Sequence, residues 1–274
     1  MLGRSSQREQ VMDDQSILVE MRTGYRVITL NRPQRLNAFN EPMQRALVAA
    51  VDEAERDQTC RSLLLTGTGR AFSSGQDLSE RINAAGDVTV PGAALEQYYN
   101  PLVRKLRALP FPVVCAVNGT AAGVSCNIAL ACDIVLAARS ASFLQPFARL
   151  GIVPDGGGTW LLPRLVGQAR ARGLALLAEP LPAEKAEQWG LIWKVVDDAA
   201  LMPEAEKLCE HFATAPTSGL GLIKRALDAS EDNDLSAQLD LERDLQRQAG
   251  SHPNYGEGVR AFMQKRKPNF SGDR

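Results

Sequence analysis

One carboxylate in this chain stands in a setting that suits proton transfer. Asp155 lies in the segment 152–160, Ile-Val-Pro-Asp-Gly-Gly-Gly-Thr-Trp, between a proline and three glycines and just before an apolar run. An acid at the edge of a pocket could take a proton from one atom and return it to another. Aspartate is also favoured as a helix N-cap. The residues alone leave both interpretations open.

Two glycine turns offer donors for a negatively charged oxygen. In residues 67–78 a predicted strand ends, and Gly75 allows a bend that exposes the N–H of Gln76. Further on, Gly123 precedes a predicted helix, and the N–H of Val124 points outward because the first N–H groups of a helix lack internal partners. Two such donors aimed at one point form an oxyanion hole. Two ordinary strand-to-helix turns are the alternative.

Alternating strands and helices must position these turns. Apolar–polar alternation over residues 16–30 predicts two strands joined at Gly24, and short apolar runs predict buried strands at 62–66, 112–117, 133–137 and 193–196. Helical patterns cover residues 41–56, 93–109, 121–131, 158–177, 182–189, 203–213, 218–229, 235–248 and 255–265. This order predicts an α/β fold with glycine turns at strand ends, where such sheets bind ligands.

Composition narrows the class of protein. The chain has 274 residues, 45% hydrophobic and 23% charged, which is typical of a globular protein that buries a sizeable core. A net charge of −1 argues against nucleic-acid binding through a general basic surface. The sequence has no apolar run of membrane-spanning length, so no membrane partner is expected. Residues 1–15 are polar, lack a secretion signal and are predicted to form a disordered arm.

The cysteines and histidines do not suggest a disulfide framework or a metal site. The five cysteines are irregularly spaced and the chain has two histidines. No cysteine pair has the two-residue spacing of a zinc site. Reduced thiols in a cytoplasmic protein without a metal are therefore predicted.

Five motifs together resemble the enoyl-CoA hydratase/isomerase (crotonase) superfamily. They are Asn-Arg-Pro at 31–33, Ala-Phe-Ser-Ser-Gly-Gln-Asp-Leu at 71–78, Asn-Gly-Thr-Ala-Ala-Gly at 118–123, Cys-Asp-Ile at 132–134 and Pro-Asp-Gly-Gly-Gly-Thr at 154–159. The resemblance runs from about residue 16 to residue 270. It implies a crotonase-like spiral of ββα units at 16–200 that holds the acyl-CoA site. It also implies a helical part at 201–274 that forms homotrimers or dimers of trimers.

The resemblance also implies a chemistry. Members of the family bind an acyl-CoA thioester, with no separate cofactor, and polarise its carbonyl with two main-chain N–H groups, which by motif position are those of Gln76 and Val124. Hydratases of the family use two glutamates, and this chain has Asn127 and Phe147 at those positions. Asp155 lies where several isomerases place their single acid. The resemblance therefore implies an acyl-CoA isomerase with Asp155 as acid and base, and an apolar pocket would raise its pKa.

Further residues narrow the branch of the family. Segments 98–104, 155–164, 190–198 and 239–243 resemble the isomerases that convert ring-1,2-epoxyphenylacetyl-CoA to its oxepin form and shift acyl-CoA double bonds. By the same resemblance, Ser74, Asp77 and Leu78 would line the CoA path, and Phe262 and Lys265 would reach the CoA of a neighbouring subunit. Helix capping by Asp77 and a solvated basic tail are the alternatives for those residues.

Other functions remain open at this stage. One is residual enoyl-CoA hydratase activity. A second is an acyl-CoA hydrolase or dehalogenase with Asp155 as nucleophile, although neither histidine lies near a glycine turn to activate water. A third is a non-catalytic RNA-binding or scaffold protein of the same fold, against which the near-neutral charge argues.

Overall fold

The computed structural model of the protein describes residues 15–82, 86–90 and 92–270. The disordered arm predicted for residues 1–15 lies outside these ranges, apart from Gln15. Within the described residues, no helix is both long and apolar enough to cross a bilayer.

Ten strands and ten α-helices occur in the described part of the chain. The strands are β1 (Ile17–Arg22), β2 (Tyr25–Leu30), β3 (Leu63–Gly67), β4 (Ala71–Ser73), β5 (Val113–Val117), β6 (Thr120–Ala122), β7 (Ile134–Ala138), β8 (Ser142–Leu144), β9 (Leu181–Pro182) and β10 (Lys194–Val196). The helices are α1 (Glu41–Arg56), α2 (Asn100–Ala108), α3 (Val124–Leu130), α4 (Gly158–Val166), α5 (Gln168–Leu177), α6 (Ala183–Gln188), α7 (Leu201–Ala213), α8 (Thr217–Ala229), α9 (Leu235–Ser251) and α10 (Pro253–Met263).

The larger sheet has six strands in the order β1-β2-β3-β5-β7-β10. β1 and β2 form an antiparallel hairpin, and every later strand runs parallel to its neighbour. All five residues of β5 are buried, as expected for a parallel strand covered on both faces. Each strand of this sheet was predicted within two residues of its observed bounds, β1 and β2 from apolar–polar alternation and the others from short apolar runs.

A second sheet has the order β4-β6-β8-β9 and was not predicted. Its strands have only two or three residues, too few for a periodic pattern. The helix predicted from residue 121 was wrong at its start. Ala121 and Ala122 pair with β8. Gly123, with φ +59°, forms the turn between β6 and α3.

The two sheets are joined by a repeated unit. A strand of the larger sheet leads to a strand of the smaller sheet and then to a helix, first as β3-β4-α2, then as β5-β6-α3, and then as β7-β8-α4. β4, β6 and β8 are parallel neighbours, so the segments that follow their carboxyl ends meet at one edge. Those segments contain both glycine turns and Asp155.

The C-terminal helices pack on this core through buried polar contacts. Arg61 donates from Nε to Thr217 Oγ1 at 2.8 Å and from Nη2 to the carbonyl of Ala215. Lys224 pairs with Asp133 at 2.7 Å and donates to the carbonyl of Phe111 at 3.0 Å. These bonds satisfy charges that would be costly to bury alone.

The helix predicted over residues 158–177 is two helices, α4 and α5, which are separated by Gly167.

Candidate active site

A cavity of about 550 Å³ lies at the edge where the segments after β4, β6 and β8 meet. Its lining is mainly apolar and includes Leu78, Ile82 and Phe147. Polar groups are few, as in most small-molecule sites. Asp155 is the only carboxylic acid among the described lining residues.

Gly75 lies where the first glycine turn touches the second. Its φ of +90° is in the left-handed region, which glycine adopts without strain. A Cβ atom at this position would lie 2.7 Å from the main-chain oxygen of Ala122. Ser125 Oγ donates to the carbonyl of Ser73 at 2.8 Å, which joins the two turns a second time. The turns therefore pack main chain against main chain.

Both predicted N–H donors border this cavity. Val124 is the first residue of α3, so its N–H has no partner within the helix. The preceding Gly123 donates its own N–H to the carbonyl of Leu144 at 2.9 Å, which anchors the turn to β8. Gln76 follows Gly75 directly, and both Gln76 and Val124 line the cavity.

The side chain of Gln76 is held on a buried polar cluster. Its Oε1 accepts hydrogen bonds from Tyr99 Oη at 2.5 Å and from Gln44 Nε2 at 3.0 Å. Gln44 Nε2 also donates to Tyr99 Oη at 2.7 Å. Tyr99 is buried, and burial together with the nearby charge of Asp155 raises the pKa of its phenol, which therefore stays protonated. Motif reasoning did not find this cluster.

The carboxyl group of Asp155 is largely buried and has an oxygen without a described hydrogen-bond partner. Its Oδ1 is buried and has no hydrogen-bond partner among the described residues. Burial raises the pKa of Asp155 to about 6, partly offset by a main-chain hydrogen bond within the residue and by the positive charge of Arg81. A carboxylic acid with a pKa near 6 changes its charge close to neutral pH, as an acid–base catalyst requires.

The helix-cap interpretation of Asp155 does not match the geometry. α4 begins at Gly158, its N-cap is Gly157, and no side chain caps it. The main-chain oxygen of Asp155, and not its carboxylate, accepts the N–H of Gly158 at 2.9 Å. The side chain is thereby left available to the cavity it lines.

Two arginines also line the cavity, and sequence reasoning had singled out neither. Arg81 is half-buried, and its charge lowers the pKa of Asp155. Arg149 donates from Nη2 to the carbonyl of Ala178, which leaves part of its guanidinium for other contacts. They supply positive charge along an otherwise apolar wall.

Comparison with known proteins decides the family. Residues 20–273 match the family described as enoyl-CoA hydratase/isomerase. The chain belongs to this family. It is 54% identical over 257 residues to a 1,2-epoxyphenylacetyl-CoA isomerase of Escherichia coli, covering 93% of this chain and 98% of that protein. It is 44% identical over 265 residues to a probable enoyl-CoA hydratase of Rhodobacter capsulatus, covering 95% and 100%.

Solved structures of the family share the fold. A putative enoyl-CoA hydratase/isomerase from Mycobacterium abscessus superimposes with a TM-score of 0.88 at 31% identity, over 93% of this chain and 99% of that one. The crotonase-like α/β fold predicted from the motifs is therefore confirmed. The prediction of an isomerase of this family is likewise supported by the relative from E. coli.

The residues predicted to bind CoA in the family's manner fall into two groups. Ser74 and Leu78 line the cavity. Asp77 does not. Its Oδ1 accepts from Ser79 N at 3.2 Å and Oγ at 2.7 Å, and its Oδ2 pairs with Arg32 at 3.1 Å. The capping alternative thus describes its contacts within one chain.

Phe262 and Lys265 lie at the far end of the chain, near the end of α10, and line no part of the cavity. Phe262 is 82% exposed. It borders a separate, apolar cavity of about 410 Å³ among the C-terminal helices. Because neither residue borders the cavity within one chain, their predicted role requires a neighbouring subunit.

The two positions where family hydratases carry glutamate have different surroundings. Phe147 is buried and lines the cavity. Asn127 is fully buried, and its Nδ2 donates to the main-chain oxygen of Asp155 at 2.7 Å. The described residues contain no cluster of acidic, histidine or cysteine side chains able to hold a metal ion.

Proposed function

We propose that this protein is an acyl-CoA isomerase in which Asp155 moves the proton and the N–H groups of Gln76 and Val124 hold the thioester oxygen. One observation carries the proposal. The single carboxylic acid on the described cavity wall has a buried oxygen without a described partner and a pKa raised to about 6. A family member with one acid can shift a proton but lacks the second acid that water addition uses.

The proposed reaction has two proton transfers. Ionised Asp155 removes a proton from a carbon activated by the thioester, and the electron pair of the broken C–H bond moves towards the carbonyl oxygen. The two N–H groups stabilise the resulting enolate, an effect worth about 10²–10³ in rate for one donor. Protonated Asp155 then returns the proton to a different carbon, and the enolate electrons re-form the carbonyl. Atoms and charge balance without a cofactor.

The apolar wall favours isomerisation over hydration. Phe147 can neither bind nor activate water, and no other acid lies among the described lining residues. Exclusion of water also protects an enolate from side reactions. The relative from R. capsulatus carries the name of a probable hydratase, so hydration is an outcome that the test must be able to detect.

The substrates we propose are 1,2-epoxyphenylacetyl-CoA, converted to its oxepin form, and unsaturated enoyl-CoA thioesters. In the first, the C–C bond shared by the epoxide and the six-membered ring opens, its electrons redistribute into the ring double bonds, and the proton moves from the carbon next to the thioester to a ring carbon, so that the product is an isomer of the substrate. Identity of 54% to the E. coli isomerase supports the first. A panel of ring-epoxide and enoyl-CoA thioesters, with products separated by mass and retention time, would identify the preferred acyl group. Products heavier by one water would identify hydration and overturn the isomerase assignment.

The decisive experiment is Asp155→Asn. This change keeps the shape of the side chain but removes the base, so turnover should fall by about 10²–10⁴. Binding of a saturated acyl-CoA should persist, because the N–H donors and the apolar wall are unchanged. Asp232→Asn, in the turn between α8 and α9, is the matched control and should behave as wild type. Wild-type turnover in Asp155→Asn would end the proposal, and a covalent adduct on Asp155 would indicate a hydrolase or dehalogenase instead.

We further propose a homotrimer or a dimer of trimers in which residues 201–274 form the contacts. Large apolar side chains on α10 are exposed within one chain, including Phe262 and Met263. Burial of such a surface would favour association. In this arrangement Phe262 and Lys265 would reach the CoA of a neighbouring subunit. Mass measurement in solution, with Phe262→Asp as a disrupting variant, tests the assembly.

We also propose a reducing, cytoplasmic location. All five cysteines are buried and free, which suits a compartment that keeps thiols reduced. Fractionation of the source cells would test this location.

A further inference from the structure

We infer that Asn127 is a positioning residue for Asp155, and that α3 sets the placement of the acid relative to the thioester oxygen. This inference rests on the proposed function. Asn127 does not line the cavity, so it acts through its neighbour and not on the substrate. Its amide holds the main chain of the turn from which the Asp155 side chain projects.

The hydrogen bonds around Asn127 have a single consistent direction. A main-chain oxygen can only accept, so the 2.7 Å contact with the Asp155 oxygen requires Asn127 Nδ2 to be the donor. Asn127 Oδ1 must then accept, and Gln145 Nε2 donates to it at 2.8 Å. Gln145 makes this bond with its Nε2, although its Oε1 is then buried without a partner among the described residues. The orientation of both amides thus follows from the position of Asp155.

Two glycines bring the turn directly onto Asn127. A Cβ atom at Gly158 would lie 2.5 Å from Asn127 Nδ2. A Cβ atom at Gly156 would lie 3.0 Å from Val124 Cγ2 and 3.5 Å from Asn127 Cβ, and Gly156 has φ +55°. The glycines around Asp155 therefore bring the main chain of this segment directly against the Val124 and Asn127 side chains of α3.

That face of α3 carries both halves of the proposed chemistry. Val124 and Asn127 are three residues apart, so they lie one turn apart on the same side of the helix. Val124 supplies a proposed N–H donor, and Asn127 holds the main chain of the acid. A short rigid helix therefore keeps the two in a constant relation, and misplacement by about 1 Å costs about 10²-fold in rate.

An acid at position 127 would not preserve this arrangement. A carboxylate would direct an acceptor at the Asp155 oxygen, and its charge would raise the pKa of Asp155 further. Asn127→Asp, which has nearly the same shape, should lower kcat for a 3-hexenoyl-CoA by about 10²-fold. Affinity for hexanoyl-CoA should change by less than about threefold, because the loss is confined to the transition state. The acidic limb of the kcat–pH profile should move to higher pH.

Two comparisons separate positioning from ordinary stabilisation. Thr66→Val removes another buried hydrogen bond, Oγ1 to the carbonyl of Ala116, away from the cavity, and should lower only the melting temperature. In the Asp155→Asn background, Asn127→Asp should cost no further activity, since the residue through which it acts has gone. The inference fails if Asn127→Asp lowers stability as Thr66→Val does but leaves kcat and the pH limb unchanged.

Gly158→Ala gives an independent test if Asn127→Asp does not fold. Its Cβ would displace the Asn127 amide, so kcat should fall and acyl-CoA affinity should persist. Gly173→Ala, within α5 and with open space around it, is the matched control and should retain wild-type kcat. Wild-type kcat in Gly158→Ala would overturn the inference and leave the role of Asp155 intact. Wild-type turnover in Asp155→Asn would instead overturn the proposed function.

Discussion

The two sides of the cavity are built on different principles. On the proposed donor side, the turns at Gly75 and Gly123 pack main chain against main chain and bring Gln76 and Val124 to the cavity wall. On the acid side, the turn at Asp155 is held by a side-chain amide and carries a group that burial keeps from ionising easily. Close packing of main-chain atoms fixes the donor side. On the acid side, burial makes ionisation of the Asp155 carboxyl group unfavourable. A catalyst needs both, because geometry holds the oxygen and an adjustable charge moves the proton.

Of the changes on the donor side, the largest effect is expected from a methyl group at Gly75. Gly75→Ala would place a Cβ 2.7 Å from the Ala122 oxygen at a φ of +90°, so the turns must separate. Loss of one donor should lower kcat/KM by about 10²–10³. Gly167→Ala also places an alanine at a positive φ, +79°, but with nothing within 4 Å of its Cβ, and should lower stability alone. Equal kcat/KM in the two variants would show that main-chain packing does not fix the donor side.

The next effect measures the electrostatic cost on the acid side. Burial raises the pKa of Asp155 from 3.8 to about 6, so the folded state holds this proton more tightly than the unfolded state. Stability from the protonated form is therefore lost as pH rises from about 4 through 6. Asp155→Asn should be more stable than wild type above pH 6 by up to about 3 kcal/mol, and near pH 4 the difference should vanish.

Denaturant unfolding at several pH values and one protein concentration measures this difference. The single concentration matters because assembly also affects apparent stability. A pH-independent difference between Asp155→Asn and wild type would contradict a buried, titrating carboxyl group. Such a result would mean that the acid side, like the donor side, has no group that titrates in this pH range.

The pH profile should follow the acid side alone. Asp155 must be ionised to take a proton, so kcat/KM should fall about tenfold per pH unit below about 6 and level off above it. The donor side has no titrating group, since Tyr99 stays protonated throughout this range. Values of kcat/KM between pH 5 and 8, which report on the free enzyme, provide the measurement. A flat profile would exclude Asp155 as the base.

The smallest effect concerns the side chain of Gln76. Tyr99→Phe removes the hydrogen bond to Gln76 Oε1 while Gln44 still donates to it. We expect a loss of about 1 kcal/mol in stability and a change in kcat within about threefold, because Gln76 acts through its main chain. A far larger loss of kcat would mean that side-chain bonds hold the donor side too.

The sequence predicted some elements well and others not at all. The sequence predicted β1 and β2 from apolar–polar alternation and the other strands of the larger sheet from short apolar runs. It predicted the 16 residues of α1 from their helical periodicity. The strands of the second sheet are too short to show a period, so β6 was mistaken for the start of a helix. β6 forms by pairing with β8, which begins 20 residues after β6 ends.

The sequence indicated the residues proposed to carry the chemistry, but it did not indicate the residue that contacts the main chain of Asp155. Asp155, Gln76 and Val124 were predicted from glycine turns and motif position, and the structure places all three around one cavity. Asn127 was noted only as a missing glutamate. Its contact with Asp155 joins residues 28 positions apart, and no local pattern marks it.

The sequence by itself determined the family, the glycine turns and the lack of glutamate at positions 127 and 147, because these depend on residue identity at each position. The tertiary structure decided that Asp155 is an acid in a cavity and not a helix cap. Its ionisation depends on which atoms surround the carboxyl group, and those atoms come from segments that meet only when the second sheet forms. The same packing places the Asn127 amide against the main-chain oxygen of Asp155, a contact that residue identity alone did not reveal.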